Sequence, residues 1–245
     1  MVWLRNKYGG WFEIPDDQYD ASRASTKASE DTKERQLAQS KKEADRLNEE
    51  DKKAELHKYA SQLINEAHKH EPQVTADLKD IVKQDGAELA GLEYRFKGEK
   101  SLSEKLERKS IEKGISVHEY SKKVTDVLRY TEMSSEDTLQ RNFDSFVSKI
   151  NERGYEMVEV NNSWYDGSDY KGINTLVRTS RGYVFEMQFH TPKSLEIKEI
   201  NHKLYEKQRE VGTSKKEQLR LKRQMASNAR SVPTPIHIEK IKNKG

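Results

Sequence analysis

Tyr183-Val184-Phe185-Glu186-Met187-Gln188-Phe189-His190 is the stretch on which the fold turns. Successive side chains on a strand point to opposite faces. Tyr183, Phe185, Met187 and Phe189 therefore share one face, and Val184, Glu186, Gln188 and His190 share the other. The first row predicts burial against a core. The second sets three consecutive polar groups on a rigid strand, which is a sound platform for a site. The plain alternative is a polar face turned to water, usual for a half-buried sheet.

Working outward, Ser180-Arg181-Gly182 predicts a tight hairpin back to the strand INTLVRT at 173–179. Two more β-branched and aromatic runs, YEMVEV at 155–160 and VTDVLRYTEM at 124–133, read as strands, with a helix over 134–153 between them. Beyond Pro192 a long helix runs to about 210, and a basic one follows over 214–229. Toward the N-terminus, Ala54, Leu56, Tyr59, Ala60, Leu63, Ile64 and Ala67 recur mostly at three- and four-residue steps, which predicts an amphipathic helix. Pro72 is expected to end it, and Thr75 to open a second helix that breaks near Gly86. Ser101 and Ser116 read as helix caps and Gly114 as a stop. The resulting class is α/β (α+β). Its central sheet is mixed, mostly antiparallel and flanked by helices, in a domain over 54–230.

The remaining chain has a different character. Residues 16–53 are charged and nearly devoid of large apolar groups; they read as a linker over 16–33 and a solvated helix over 34–57. Pairs such as Glu43 with Arg46 and Glu49 with Lys53 would support that helix. Ahead of it, 1–15 reads as a strand-turn-strand piece about Gly9-Gly10, so that 1–53 form an N-terminal stub with a charged linker and helix. Residues 231–245 read as a basic C-terminal tail. No internal repeat is present.

Composition excludes several classes. Of the 245 residues, 33% are hydrophobic and 36% charged, with a mean hydropathy of −1.07. No run approaches the roughly 20 apolar residues of a membrane-spanning helix. Cysteine is absent, which removes disulfides, zinc-thiolate sites and thiol catalysis. Residues 1–14 lack the apolar core of a secretory signal, so action in the cytoplasm is expected. A net charge of +3 does not mark a nucleic-acid binder by bulk electrostatics.

Candidate chemistry lies in four places. Arg95, Lys97, Lys100, Lys105, Arg108 and Lys109 crowd into fifteen residues. On a helix from Ser101, that serine, Lys105 and Arg108 share a face, and cations at a helix N-terminus suit a polyphosphate. The spacing is not that of a Walker A loop, and a solvated charged face is the alternative. Asp126, among β-branched neighbours, and Glu186 on another strand offer hard carboxylate oxygens for Mg²⁺; the alternative for Asp126 is turn capping. Tyr170, in the loop SDYKGIN, can present its ring to a base, or simply pack locally. His202 on the helix after the strands is more ordinarily structural, and His57, His68 and His70 read as surface residues.

In order along the chain, these pieces resemble the RelA/SpoT synthetase domain of the nucleotide pyrophosphokinases, over about 54–211. The carriers are the Arg95-x-Lys97-x-x-x-Ser101-x-x-x-Lys105-x-x-Arg108-Lys109 block, Asp126 before Arg129-Tyr130, Tyr170-Lys171-Gly172-Ile173-Asn174, and Glu186-Met187-Gln188-Phe189-His190-Thr191. His202 with Tyr205 resembles the family's closing His-x-x-Tyr helix. The resemblance implies a nucleotidyltransferase-like fold and transfer of the β,γ-pyrophosphate of ATP to the 3′-hydroxyl of a purine nucleotide. It assigns Arg95, Lys97, Ser101, Lys105 and Arg108 to ATP, and Asp126 and Glu186 to catalysis and Mg²⁺. It assigns Tyr170, Lys171, Asn174, Gln188, His190 and His202 to the acceptor side. Lys171, Gly172, Asn174 and His190 depart from members that make guanosine alarmones, which carry Gln, Ser, His and Arg there. With Asn162-x-Trp164 upstream, the pattern is similar to toxin-like members of phage structural proteins and secreted effectors. These imply an adenosine product, a larger phage or effector protein, delivery as an effector or with a virion, and an immunity protein as partner. The alternatives are the tRNA 3′ end as acceptor and a non-enzymatic assembly module of a virion or secretion particle.

Overall fold

The computed structural model describes residues 1–5, 11–210 and 212–245; the Gly9-Gly10 turn lies outside them. The chain divides into two compact units, 1–55 and 56–245. In the first, β1 (Val2–Arg5) and β2 (Trp11–Ile14) pair antiparallel, Val2 opposite Ile14. Helix α1 (Asp16–Gln84) follows and crosses the division. Its N-terminal part contains 16–33, read above as a linker. From 16 to 71 the sequence has no Gly or Pro and is rich in Ala, Glu, Lys, Arg and Gln. That propensity sustains a helix where burial does not. The expected pairs form: Arg46 with Glu43 at 2.5 Å and Lys53 with Glu49 at 3.6 Å.

Pro72 does not end α1. It is exposed within the helix. A proline costs a helix interior about 3 kcal/mol. Leu56, Ala60 and Ala67 before it, and Val74, Leu78 and Ile81 after it, are all buried in one core. At roughly 1.5–3 kcal/mol for each large side chain, that continuous stripe outweighs the break.

In the second unit a five-stranded sheet has the order β3-β4-β7-β6-β5. The strands are β3 (Glu88–Ala90), β4 (Arg129–Met133), β5 (Glu156–Asn162), β6 (Ile173–Arg178) and β7 (Val184–His190). Only β4 and β7 run parallel, Arg129 opposite Glu186; the other pairs are antiparallel. The sheet is thus mixed and mostly antiparallel, in an α+β fold. β3 is too short for its alternation to be legible in the sequence. The helices are α2 (Glu99–Lys113), α3 (Val117–Ser121), α4 (Leu139–Glu152), α5 (Pro192–Arg209) and α6 (Lys215–Arg230).

One sheet face packs on α4 and α1. Phe185, Met187 and Phe189 are 0–1% exposed, and Phe143 and Phe146 meet Phe189 edge-on, each at 5.1 Å. The other face carries the polar row. α3 and α5 start on reciprocal capping boxes, Ser116 with Glu119 and Thr191 with Ser194. α2 ends at Gly114, whose φ of 63° is left-handed. Its start differs from expectation: Gly98 is the cap, and Ser101 lies inside the first turn.

The segment after Arg230, read as a basic tail, is packed. Val232, Ile238 and Ile241 are buried, and Lys244 bridges to Val160 of β5. Three apolar residues spaced among prolines and lysines give no periodic signal, which explains the misreading. Among the described residues no helix is long and apolar enough to cross a membrane.

Candidate active site

The basic block meets a carboxylate. The chain from Arg95 runs beside the approach to β4: the Lys97 N–H donates to Val127 O at 2.8 Å, and the Arg129 N–H to Arg95 O at 2.9 Å. This register sets Lys97 Nζ 2.8 Å from Asp126 Oδ2. From α2, Lys105 Nζ reaches Asp126 Oδ1 at 2.6 Å. Asp126 precedes β4 rather than starting it. Burial pushes its pKa up, but Lys97 and Lys105 outweigh that and hold it at about 2. Two ammonium groups on one carboxylate leave a net positive charge.

Lys97, Ser101, Lys105 and Arg108 line one cleft of about 480 Å³, bounded by Arg209 of α5. The i, i+4, i+7 face survives the shift of the helix start. Because Gly98 makes no side-chain cap, the first-turn N–H groups of α2 lack the partner a capping side chain supplies. Such a terminus suits an anion. Arg95 is not in this cleft. Its Nε donates to Glu71 Oε1 at 2.6 Å and its Nη1 to Leu92 O at 2.7 Å. Glu71 also accepts from Thr75, so Arg95 is tied to α1.

On the polar face of β7, Gln188 Nε2 donates to Glu186 Oε1 at 2.9 Å, and Lys198 Nζ of α5 donates to Gln188 Oε1 at 2.5 Å. Lys198 is pulled down by burial while Glu186 holds it up and Arg129 adds to the depression. Arg129, Gln188, Lys198 and His202 line a second cleft, of about 620 Å³, with Tyr94 among its walls. His202 is open to solvent there, 3.7 Å from Glu206.

The Tyr170 loop is strapped down. Asn201 Nδ2 of α5 donates to Asp169 O at 3.0 Å, Ser168 Oγ to Tyr170 O at 2.6 Å, and Lys171 Nζ to Tyr165 O at 2.6 Å. Lys171 thus closes its own loop. The Tyr170 hydroxyl donates to Asn174 Oδ1 at 2.7 Å and lies 2.8 Å from His190 Nε2. His190 is fully buried, and burial lowers its pKa to about 3. Expected as a group on the acceptor's side of the site, it is a neutral ring behind Tyr170, because α5 covers the end of β7.

The structure therefore brings Lys97, Ser101, Lys105, Arg108 and Asp126 together, and Glu186 with Gln188. It sets Arg95 aside and buries His190. Sequence reasoning missed Lys198 and Glu71, and gave Arg129 no role. Ser194, Lys198 and Asn201 recur at helical spacing along the inner face of α5, a signal that was present. As for Mg²⁺, hard carboxylate oxygens at Asp126 and Glu186 fit a cation that takes one or two carboxylates and completes its shell with phosphate and water. Both Asp126 oxygens are occupied by lysines here, so it would offer one to a cation only on release of Lys97 or Lys105. Among the described residues no group of three or more His, Cys, Asp or Glu forms a protein-only metal cage.

No family model and no curated protein matches the chain. Among solved structures it is similar to the type VI effector Tas1 in complex with its immunity protein, at 15% identity over 75% of this chain and 98% of that one, TM-score 0.48. It is similar to small alarmone synthetase 1 from Bacillus subtilis, at 19% identity over 70% and 87%, TM-score 0.46. It is also similar to a GTP pyrophosphokinase family protein from Streptococcus pneumoniae, at 16% identity over 72% and 88%, TM-score 0.48. Likeness at that level assigns no chemistry; chemistry is read from the residues above.

Proposed function

We propose that the chain is a RelA/SpoT-like, ATP-dependent nucleotide pyrophosphokinase. It would transfer the β,γ-pyrophosphate of ATP to the 3′-hydroxyl of a purine nucleotide. The observation that carries this reading is the convergence of Lys97 and Lys105 on Asp126 beside the uncapped start of α2, with Glu186 on the strand next to β4. Cations, a helix N-terminus and two carboxylates are the parts that phosphoryl transfer uses, since positioning and electrostatics supply most of its acceleration.

In this reading Lys97, Lys105, Arg108 and the α2 N-terminus hold the triphosphate. Arg95 joins them only by exchanging Glu71 for the donor. Asp126 and Glu186 would hold Mg²⁺, which when bound offsets charge on the phosphate oxygens. Glu186, aligned by Gln188, takes the proton of the acceptor 3′-hydroxyl. The hydroxyl oxygen bonds to the β-phosphorus, the bond from that phosphorus to the α,β-bridging oxygen breaks, and AMP leaves. Lys198 and Arg129 supply positive charge beside Glu186. The acceptor base stacks on Tyr170.

Lys171, Gly172, Asn174 and His190 favour adenosine over guanosine as acceptor and, with it, action as a toxin held in check by an immunity protein. A second acceptor, the tRNA 3′ end, draws on the exposed basic face of α6, with Lys215, Lys216, Lys222 and Arg223. Salt-sensitive tRNA binding would support it. Product chromatography tests the reading: ATP, Mg²⁺ and each of AMP, ADP, ATP, GDP, GTP or tRNA are incubated with the full chain. AMP release matched by a pyrophosphorylated acceptor is expected. Glu186→Gln should lose about 10²–10⁴-fold in kcat with the KM for ATP held. Unchanged turnover in that variant would falsify the role of Glu186, and no product with any acceptor would leave the assembly module.

A further inference from the structure

We propose that His190 is a positioning residue: with Gly172 and Asn174 it locks the Tyr170 phenol in one orientation, so the tyrosine meets the acceptor with its ring alone. The proposal rests on the pyrophosphokinase reading. It begins from two contacts on one hydroxyl and a third that holds the histidine behind it. Tyr170 donates to Asn174 Oδ1 at 2.7 Å. With its proton committed there, the phenol oxygen accepts from His190 Nε2 at 2.8 Å. The other ring nitrogen, His190 Nδ1, lies 2.8 Å from Ser194 Oγ, a hydroxyl also 3.1 Å from Thr191 O. The Ser194 hydroxyl is itself fixed by the α5 capping box, accepting from the Thr191 N–H at 2.9 Å.

Space is matched as closely as hydrogen bonding. A Cβ on Gly172 would lie 2.5 Å from His190 Cε1 and 2.7 Å from the Tyr170 hydroxyl. Any other residue there drives the two rings apart. The rings meet edge-on, their centroids 5.5 Å apart. His190 is fully buried, so it acts on a nucleotide only through Tyr170. Three of the four positions at which the chain departs from the guanosine-alarmone pattern thus meet at the Tyr170 phenol. They form a single unit, and it leaves the phenol no free hydrogen-bonding capacity toward a base. The ring face offers a base stacking alone, with no hydrogen bond from the phenol to reward guanine.

The test is a double-mutant cycle on the full chain. His190→Leu should raise the acceptor KM roughly tenfold and leave the ATP KM within about twofold. His190→Gln, whose amide N–H can reach the phenol, should stay within about threefold of the parent. In a Tyr170→Phe background, His190→Leu should add nothing further. Additive losses, or an equal change in the ATP KM, would overturn the proposal while leaving the pyrophosphokinase reading intact. If the parent chain transfers nothing to any acceptor, that reading fails and the lock is read by proton NMR instead. A slowly exchanging His190 Nε2 proton that vanishes in Tyr170→Phe supports it, and its absence from the parent overturns it.

Discussion

Asp126 is half-buried and Glu132 buried, and their surroundings drive the two carboxylates in opposite directions. Lys97 and Lys105 hold the Asp126 pKa near 2, below its ordinary 3.8. The stabilisation is therefore present above pH 4 and lost as pH falls through about 2. Asp126→Asn should cost about 2 kcal/mol at neutral pH, measured by urea unfolding, and only a small fraction of that at pH 2. Glu132 is 1% exposed on the core face of β4. Burial raises its pKa to about 7, with Ser134 opposing and Asp85 adding to the rise. Between its ordinary 4.5 and 7 the unfolded chain ionises first, so stability falls as pH rises through that window. Glu132→Gln should raise the Tm at pH 8, by up to about 3 kcal/mol of stability, and change it little at pH 4. No clear increase at pH 8 would reject the assignment. Glu186 and Lys105 are legible because strand alternation and helical spacing place them without knowledge of neighbours, whereas Asp126 and Lys97 lie outside both elements and stand out only through the residues around them and the family resemblance. His190 was not legible in its role. Alternation assigns a face, but what covers that face depends on how α5 returns across the sheet. Lys198 was hidden differently: in a chain that is 36% charged, one more helical lysine does not stand out.

At the scale of elements, α1 shows where local rules yield. Pro72 lacks the N–H that its turn needs, yet the buried residues on either side keep the helix continuous. Pro72→Ala should restore that bond and stabilise the chain by about 2 kcal/mol, seen as a higher urea midpoint; a lower midpoint would mean that the ring packs usefully. The charged N-terminal part of α1 teaches the complementary lesson. Poverty in apolar residues pointed to a linker, whereas an unbroken run without Gly or Pro supported a helix. Three strands of the central sheet match the sequence reading to within two residues; β4 starts five residues later than the run at 124–133 suggests, and β3 gives alternation too little length to register. α2 was found but its cap was misplaced, because Ser101 outranks Gly98 in capping preference and the chain nevertheless uses the glycine.

For the whole molecule, the C-terminal segment is the largest departure from expectation. Val232, Ile238 and Ile241 join the buried set, and Asn162 Nδ2 donates to Ile238 O at 2.9 Å and Ile241 O at 3.0 Å. Removing 231–245 should cost on the order of 5 kcal/mol. Domains of this kind are stable by only about 5–15 kcal/mol, so the truncated chain should unfold near physiological temperature. A calorimetric trace unchanged by the truncation would contradict this. The segment also has a consequence for association. β5 is the last strand of the sheet, and the backbone groups along such an edge can recruit strands from other molecules. The Lys244 N–H donates to Val160 O at 2.9 Å, and the Val160 N–H to Lys244 O at 2.8 Å. Lys244 thus acts as a selvedge on this edge of the sheet, occupying the backbone groups of Val160. An affinity tag joined after Gly245 begins one residue from that seam, and a bulky one would pull it open. Tags at the other end of the chain leave it closed, and a difference in aggregation between the two arrangements is a handling matter that this seam explains.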